Sequence, residues 1–276
     1  MKNLKNKVAV VTGSGSGIGR ELAIELAALG CHLAISDVNE KGLEETSSML
    51  KGASVKITTH ILDVSNKEAF YAHAEEVKKA HGHVDLVINN AGVAMSCPLE
   101  TTEYEDFEWL MNINFWGVVY GSKAFLPMLK ERSESRIVNI SSIYGITPVP
   151  FNGPYVCSKF AVRGFTETLM SELKNTNVGV SVVHPGGIKT RIAMDGRYFM
   201  EDVIPQAQTE KVYEEKFFKT TANQAARVII KGIRKNKKRI MVGSDAKVID
   251  WLRRLIPMIS LGLIGDWSEK TLRKGC

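Results

Sequence analysis

The chain lacks the means to build a disulfide or metal framework. Its 276 residues hold four cysteines, Cys31, Cys97, Cys157 and Cys276, far apart and without CxxC or Cys/His metal spacing. A disulfide-stapled secreted scaffold is excluded, and a reducing cytosol is the expected location. The six histidines show no metal set either. Long apolar runs are missing too. The VAVV near the start is too short for the core of a secretory signal, so MKNLKNKVAVVTG reads as a first strand. LIPMISLGLI, close to the end, is too short to span a bilayer. Repeats, low-complexity tracts and domain linkers are also absent.

What is present is an ordinary globular composition, 44% hydrophobic and 24% charged, on a chain long enough to bury a substantial core. The net charge of +6 is local. Residues 231–254 carry nine Lys/Arg against Asp245 and Asp250, while residues 1–230 sum to −2. The basicity therefore belongs to the tail, and its densest cluster, residues 234–239, holds no stacking aromatic as a nucleic-acid surface would require.

Up to about residue 190, Val/Ile-rich runs alternate with amphipathic stretches. The runs are 7–13, 31–37, 53–64, 84–92, 135–142 and 178–186; the stretches are 21–29, 69–80, 107–131 and 158–174. Continuous apolar strands between helices predict a parallel sheet covered on both faces. The expected fold is a single doubly wound, Rossmann-like α/β domain over residues 1–245, followed by a C-terminal helical extension over 246–276. Ligands bind beyond the carboxyl ends of such strands. Small and polar residues gather at those ends: Gly13, Asp37, Asp63, Asn90-Ala91-Gly92, Ser142 and Pro185-Gly186.

The first of these ends opens TGSGSGIG, residues 12–19, between a strand and a helix. Glycines there let backbone N–H groups and a helix N-terminus approach a diphosphate closely. Asp37 ends the second strand 18 residues after Gly19. A carboxylate so placed can hold both ribose hydroxyls of an adenosine and repels a 2′-phosphate. Neither Ser16 nor Val38 offers a countering positive charge, which favours NAD over NADP; Arg20 is the one cation near enough to swing toward the ribose.

PYVCSKF, residues 154–160, sets Tyr155 and Lys159 four apart and so on one helix face. A phenol with a pKa of about 10 is a poor base at neutral pH, and an ammonium beside it is expected to lower that pKa. Ser142, thirteen residues earlier at a strand end, can hold a substrate oxygen. Asn114 lies in a largely apolar helix, where a buried amide needs partners.

Together with NNAG (89–92), MNINFWG (111–117) and PGGIKT (185–190), these motifs make residues 7 to about 190 similar to the short-chain dehydrogenase/reductase family. The resemblance implies hydride transfer between a nicotinamide and a carbinol or carbonyl carbon. Tyr155 would be the general acid/base, Lys159 would tune it and bind ribose, Ser142 would orient the oxygen, and Asn114 would hold a relay water. It further implies Gly13, Ser16, Gly17, Ile18 and Gly19 on the diphosphate side and Asp37 on the adenosine ribose. Asp63 and Val64 would meet the adenine, Asn90, Ala91 and Gly92 the cofactor's ribose side, and Pro185, Gly186, Ile188 and Thr190 the nicotinamide. Asp63 also reads as a helix N-cap and Pro185-Gly186 as a plain turn. His184 is expected to be a core residue, and Asn89 a structural one.

The family places a flap at residues 191–221 and a second wall at YGITPVPFNG, 144–153. Both are apolar and aromatic here, which favours a hydrophobic secondary alcohol or ketone. A homodimer or homotetramer through the helices at 107–131 and 155–174 is expected by the same analogy. An NADPH-linked carbonyl reductase and a non-catalytic dinucleotide-binding regulator are the alternatives. In the tail, Val248, Ile249, Leu252, Leu255, Ile256 and Ile259 fall at helical spacing, and Pro257 should break that helix. Three readings stand: a helix packed on the domain or a second subunit, a cap over the substrate entrance, or an interfacial helix on an anionic membrane.

Overall fold

A computed structural model describes residues 1–275 of the chain. Seven parallel strands form the central sheet: β1 (Val8–Thr12), β2 (His32–Asp37), β3 (Ile57–Ile61), β4 (Leu86–Asn89), β5 (Ser135–Ile140), β6 (Val178–Pro185) and β7 (Arg239–Val242). Their order across the sheet is β7-β6-β5-β4-β1-β2-β3. The chain therefore builds outward from β1 through β2 to β3, then crosses back to β4 on the other side. That reversal leaves a crevice between the carboxyl ends of β1 and β4.

Two helical layers close the sheet, and alternation along the strands feeds both. In β1, Ala9 and Val11 face one core with Leu22 and Leu26 of α1 (Gly17–Ala28) and Ile229 and Ile233 of α8 (Ala222–Arg234). Val8 and Val10 face the other core with Phe70 of α3 (Lys67–His81), Phe125 of α5 (Gly117–Lys130) and Leu169 of α6 (Gly153–Glu172). A strand buried on both faces has no polar side to show, so these runs read as continuous rather than alternating. Helix α2 (Glu40–Met49) and strand β7, unassigned in the sequence, complete the sheet region.

The helix expected over 107–131 is continuous but not uniform. Helix α4 (Tyr104–Met111) passes through one π-helical turn, Asn112–Trp116, into α5. The helix expected from 158 begins earlier, at Gly153 with Pro154 in its first turn, and so carries Tyr155 near its N-terminus. Residues 191–221 hold α7 (Gln206–Val212) and a second π turn, Tyr213–Phe217. Short strands pin this segment, Arg197–Tyr198 on Met95–Ser96 and Thr220–Thr221 on Ile188–Lys189.

The extension forms α9 (Ser244–Leu255) and α10 (Pro257–Lys274), broken at Pro257 as its ring demands. The three described cysteines are free, and Cys276 lies outside the described residues. No helix among the described residues is long and apolar enough to cross a membrane.

Candidate active site

The glycine loop owes its shape to three different steric demands. Gly13 has φ +67°, and a Cβ there would lie 2.7 Å from Ala91 Cα. Gly17 also takes a positive φ, +53°, and opens helix α1. Gly19 is helical, but a Cβ on it would sit 2.0 Å from the Gly13 carbonyl oxygen. The crevice is braced by Thr12, whose hydroxyl accepts from the N–H groups of Asn90 and Ala91 at 3.0 Å. The Asn90 amide donates back to the Thr12 and Gly13 carbonyls at 2.9 and 3.1 Å.

Ser16, at the N-cap of α1, makes no side-chain capping bond, and no acid lies in the first turn. The N-terminal N–H groups of α1 thus remain open to an anion, as a dinucleotide diphosphate requires.

Asp37 sits at the end of β2 against this loop. Its carboxylate accepts from Gly15 N–H at 2.7 Å and Asn39 N–H at 2.9 Å. Arg20 does not swing free: it donates to the Thr46 hydroxyl, the Gly15 and Gly42 carbonyls and the Glu45 carboxylate. Asp63 is exposed and forms a turn with Ser65 N–H and Oγ, while Asn66 rather than Asp63 caps α3. The Val64 side chain is buried and faces Gly117, where a Cβ would lie 2.9 Å from it.

Beyond the crevice lies a cavity of about 450 Å³. Ile18, Asn90, Gly92, Ser142, Tyr155, Lys159, Pro185, Gly186, Ile188 and Thr190 all reach its wall. Ser142 follows β5. Its hydroxyl accepts from Tyr144 N–H at 3.1 Å, and it lies close enough to the Tyr155 phenol to favour the phenolate. His184 is fully buried, and its Nδ1 bonds the Ser142 carbonyl at 2.9 Å. Burial pushes the His184 imidazole down to about 4, which keeps it neutral.

Lys159 Nζ lies 5.5 Å from the centroid of the Tyr155 ring. Its acceptor among the described protein groups is the Ile140 carbonyl at 3.3 Å. Two ammonium donors are left for the cavity, which suits ribose hydroxyls. The expected lowering of the Tyr155 pKa is not what the site produces. Burial pushes the phenol up to about 12, and the same burial pushes the Lys159 ammonium down to about 8. Taking both groups out of water disfavours both charged forms. At neutral pH the pair is therefore a phenol beside an ammonium.

Asn114 stands behind this pair, in the π turn. Its Oδ1 accepts from Val93 N–H at 2.8 Å, and its Nδ2 donates to the Val93 carbonyl and Ser158 Oγ at 2.9 and 3.2 Å. The amide is thus committed to protein partners. Gly92 lets Asn114 and Lys159 close in: a Cβ there would lie 3.0 Å from Asn114 Oδ1 and 3.3 Å from Lys159 Nζ.

Tyr213 and Asp245 are among the cavity residues that the sequence did not single out. Tyr213 comes from the flap, is 8% exposed, and stacks on Phe218 at 5.3 Å. Its spacing to Phe217 and Phe218 was the available signal. Asp245, in the first turn of α9, accepts from Gly187 N–H at 2.6 Å and so anchors the Pro185-Gly186-Gly187 turn. The histidines also need a correction. His60 on β3 and His73 and Glu76 on α3 bring three metal-capable groups within 4.8 Å of one another, because the edge strand lies under that helix. Chain spacing could not reveal this. The cluster lies away from the cavity, with His60 already bonded to Glu76 and Thr58.

Comparison with known proteins shows the family and the fold. The family described as short chain dehydrogenase matches residues 7–199. The chain is 40% identical to the oxidoreductase SadH of Mycobacterium tuberculosis over 258 residues, 93% of each protein. It is 32% identical to human estradiol 17-beta-dehydrogenase 11, covering 93% of this chain and 81% of that one. A short chain dehydrogenase/reductase from Burkholderia phymatum, solved in complex with NAD, superimposes with a TM-score of 0.85 at 30% identity. That match covers 92% of this chain and 95% of the other.

Proposed function

The chain belongs to the short-chain dehydrogenase/reductase family, whose members are oxidoreductases of CH–OH groups using a nicotinamide dinucleotide, and from that premise we propose that it is NAD(H)-dependent and acts on a hydrophobic secondary alcohol or ketone. One observation carries the reading. Ser142, Tyr155 and Lys159 meet at one wall of a cavity whose other walls, from Ile143, Val149, Ile192, Phe217 and Ile249, are mainly apolar.

The bound nicotinamide would supply hydride exchange with the carbon that bears the substrate oxygen. Tyr155 gives its phenolic proton to that oxygen in reduction and takes it back in oxidation. Ser142 donates a hydrogen bond to the same oxygen and keeps it at the phenol. Lys159 holds positive charge near Tyr155 and offers donors to ribose hydroxyls. Asn114 acts as a positioning residue, tying the Val93 backbone to Ser158 behind the pair. With phenol and ammonium both protonated at neutral pH, the site is poised to donate a proton.

Asp37 and Arg20 support NAD over NADP. The Asp37 carboxylate lies at the end of β2 against the glycine loop, where its charge would repel a 2′-phosphate, and Arg20 is tied to four other acceptors. Asp37→Ala is expected to weaken NADH binding about ten- to a hundredfold, as loss of a charge-assisted hydrogen bond does, while NADPH binding holds or improves. Fluorescence titration with each dinucleotide reads this, and an unchanged NADH affinity would count against the assignment.

The 17-beta-dehydrogenase relative supports placing bulky apolar alcohols and ketones first in a substrate panel. Turnover of that panel, followed by the absorbance of reduced nicotinamide with NAD(H) and NADP(H) in parallel, tests the function. Turnover with NADP(H) alone would favour the carbonyl-reductase alternative. The same reading includes a homo-oligomer through residues 107–131, from α4 across the π turn into α5, and through α6; these segments leave Trp116 and Phe160 partly exposed.

A further inference from the structure

Helix α10 is built the wrong way round for a helix facing water. Its buried stripe is Ser260, Ile264, Ser268 and Leu272, at a spacing of four. Its outward residues include Met258, Ile259, Leu263 and Trp267, with Met258 75% exposed. Helix α9 does the same: Val248, Trp251, Leu252 and Leu255 form one exposed stripe, with Leu255 at 69%. A surface helix ordinarily turns its apolar side inward and its polar side out. Here two successive helices expose large side chains on both sides of the Pro257 break. So extended an apolar surface marks an interaction site.

Two features say what covers it. First, the patch runs into the cavity. Val248 and Trp267 are exposed on the patch and also line the cavity wall, joined there by Ile249 and Ile264 from the same helices. A second protein seated on the patch would close that mouth, whereas a fluid apolar phase would feed it. Second, cations border the patch. Lys247, Arg254 and Lys270 are exposed beside it, and the basic run 234–239 lies at the start of the adjoining strand β7. The one acid within α9's middle, Asp250, is neutralised by Arg239 and Arg254. Exposed tryptophans at an apolar margin with flanking Lys and Arg fit the headgroup zone of a bilayer.

We propose that the α9–α10 face docks on the surface of an anionic phospholipid bilayer, lying in the interface without crossing it, and that apolar substrate enters the cavity from that membrane. The docking surface stands independently; only the substrate route rests on the proposed function.

Vesicle flotation tests it, with phosphatidylcholine vesicles made with and without phosphatidylglycerol. Wild-type chain should float with the anionic vesicles and less with the neutral ones. The variant Trp251→Asp/Leu255→Asp/Met258→Asp changes no cavity residue. It should lose binding about tenfold or more while keeping its thermal midpoint and its turnover of a water-soluble ketone. Wild type that stays in the aqueous layer with both vesicles overturns the proposal. So does a variant that floats as well as wild type. A dimer that the variant converts to monomer in light scattering, without wild-type flotation, gives the face to a second copy instead. Flotation by a wild type that turns over no substrate upholds the surface and refutes the catalytic reading alone.

Discussion

Tyr155→Phe should lower turnover about a thousandfold or more, within the range a positioned general acid/base contributes, and leave dinucleotide binding largely intact. The ring stays, so the T-shaped contact with Tyr144 at 6.0 Å and the packing of the cavity wall survive. What disappears is the phenolic hydroxyl, with its proton and whatever hydrogen bond it makes in the cavity. Loss of one such bond costs about 1 kcal/mol, too little to unfold the domain. Steady-state kinetics beside a fluorescence titration with NADH separates the two quantities. A mutant retaining wild-type turnover would remove Tyr155 from the chemistry.

The pH dependence of the wild type sharpens that expectation. Ketone reduction needs the phenol protonated and Lys159 charged. The Tyr155 group, raised to about 12, stays protonated across the working range. Lys159, lowered to about 8, is charged below that pH and loses its charge as pH rises through it. Reduction should therefore hold level in neutral solution and fall above about pH 8. Alcohol oxidation needs the phenolate and should climb with pH over the same interval. A reduction rate that stays flat well above pH 8 would show that the ammonium is not required. The stability sign follows the same shift. Between about 8 and the ordinary lysine value near 10.5, the unfolded chain binds the additional proton, so Lys159 makes folding more favourable as pH rises through that window.

Gly19→Ala should have the second large effect, on binding and stability together. Its added methyl would meet the Gly13 carbonyl oxygen at 2.0 Å and the Asn90 amide nitrogen at 2.6 Å. Neither is the loose end of a flexible chain, since Asn90 is tied to Thr12 and Gly13 on the other side. The loop must open, at a cost of about 2–4 kcal/mol judged from overpacked cores and strained sites. Because the diphosphate would rest on that loop, NADH affinity should fall about a hundredfold or more, one factor of ten for each 1.4 kcal/mol of distortion. Calorimetric unfolding and NADH titration measure the two halves. Gly17→Ala is the control: its methyl would meet only Thr190, at 3.2 Å, so strain from its positive φ is the main expected cost, about 1 kcal/mol. A Gly19→Ala protein as stable and as tight-binding as wild type would mean that the loop is more plastic than its contacts indicate.

The strands with both faces covered were legible in the chain itself. In β1, β4 and β5 every residue is buried, and apolar residues fill most positions, with Thr12, Asn89, Ser135, Arg136 and Asn139 as the polar exceptions, so the runs still stand out. The polar residues ending those runs were legible for a related reason. A ligand crevice beyond a parallel sheet forces Gly13, Asn90, Ser142 and Gly186 into positions where side-chain bulk is restricted or polarity is needed. Strand β7 was less plain: it is a short edge strand with alternating burial, set within the basic run that dominated its composition.

Local pattern determined the fold class, the glycine loop, the Tyr155–Lys159 pairing on one helix face and the break at Pro257. Only the tertiary structure decided the rest. It set the protonation of Tyr155 and Lys159, because desolvation depends on every segment that closes over them. It committed Arg20 and the Asn114 amide to protein partners, through contacts between elements distant in sequence. It brought Tyr213 and Asp245 to the cavity from beyond the recognisable motifs. It also turned the apolar sides of α9 and α10 outward, which periodicity cannot foresee. A helical wheel shows that a helix has an apolar face, but only packing decides which way that face points.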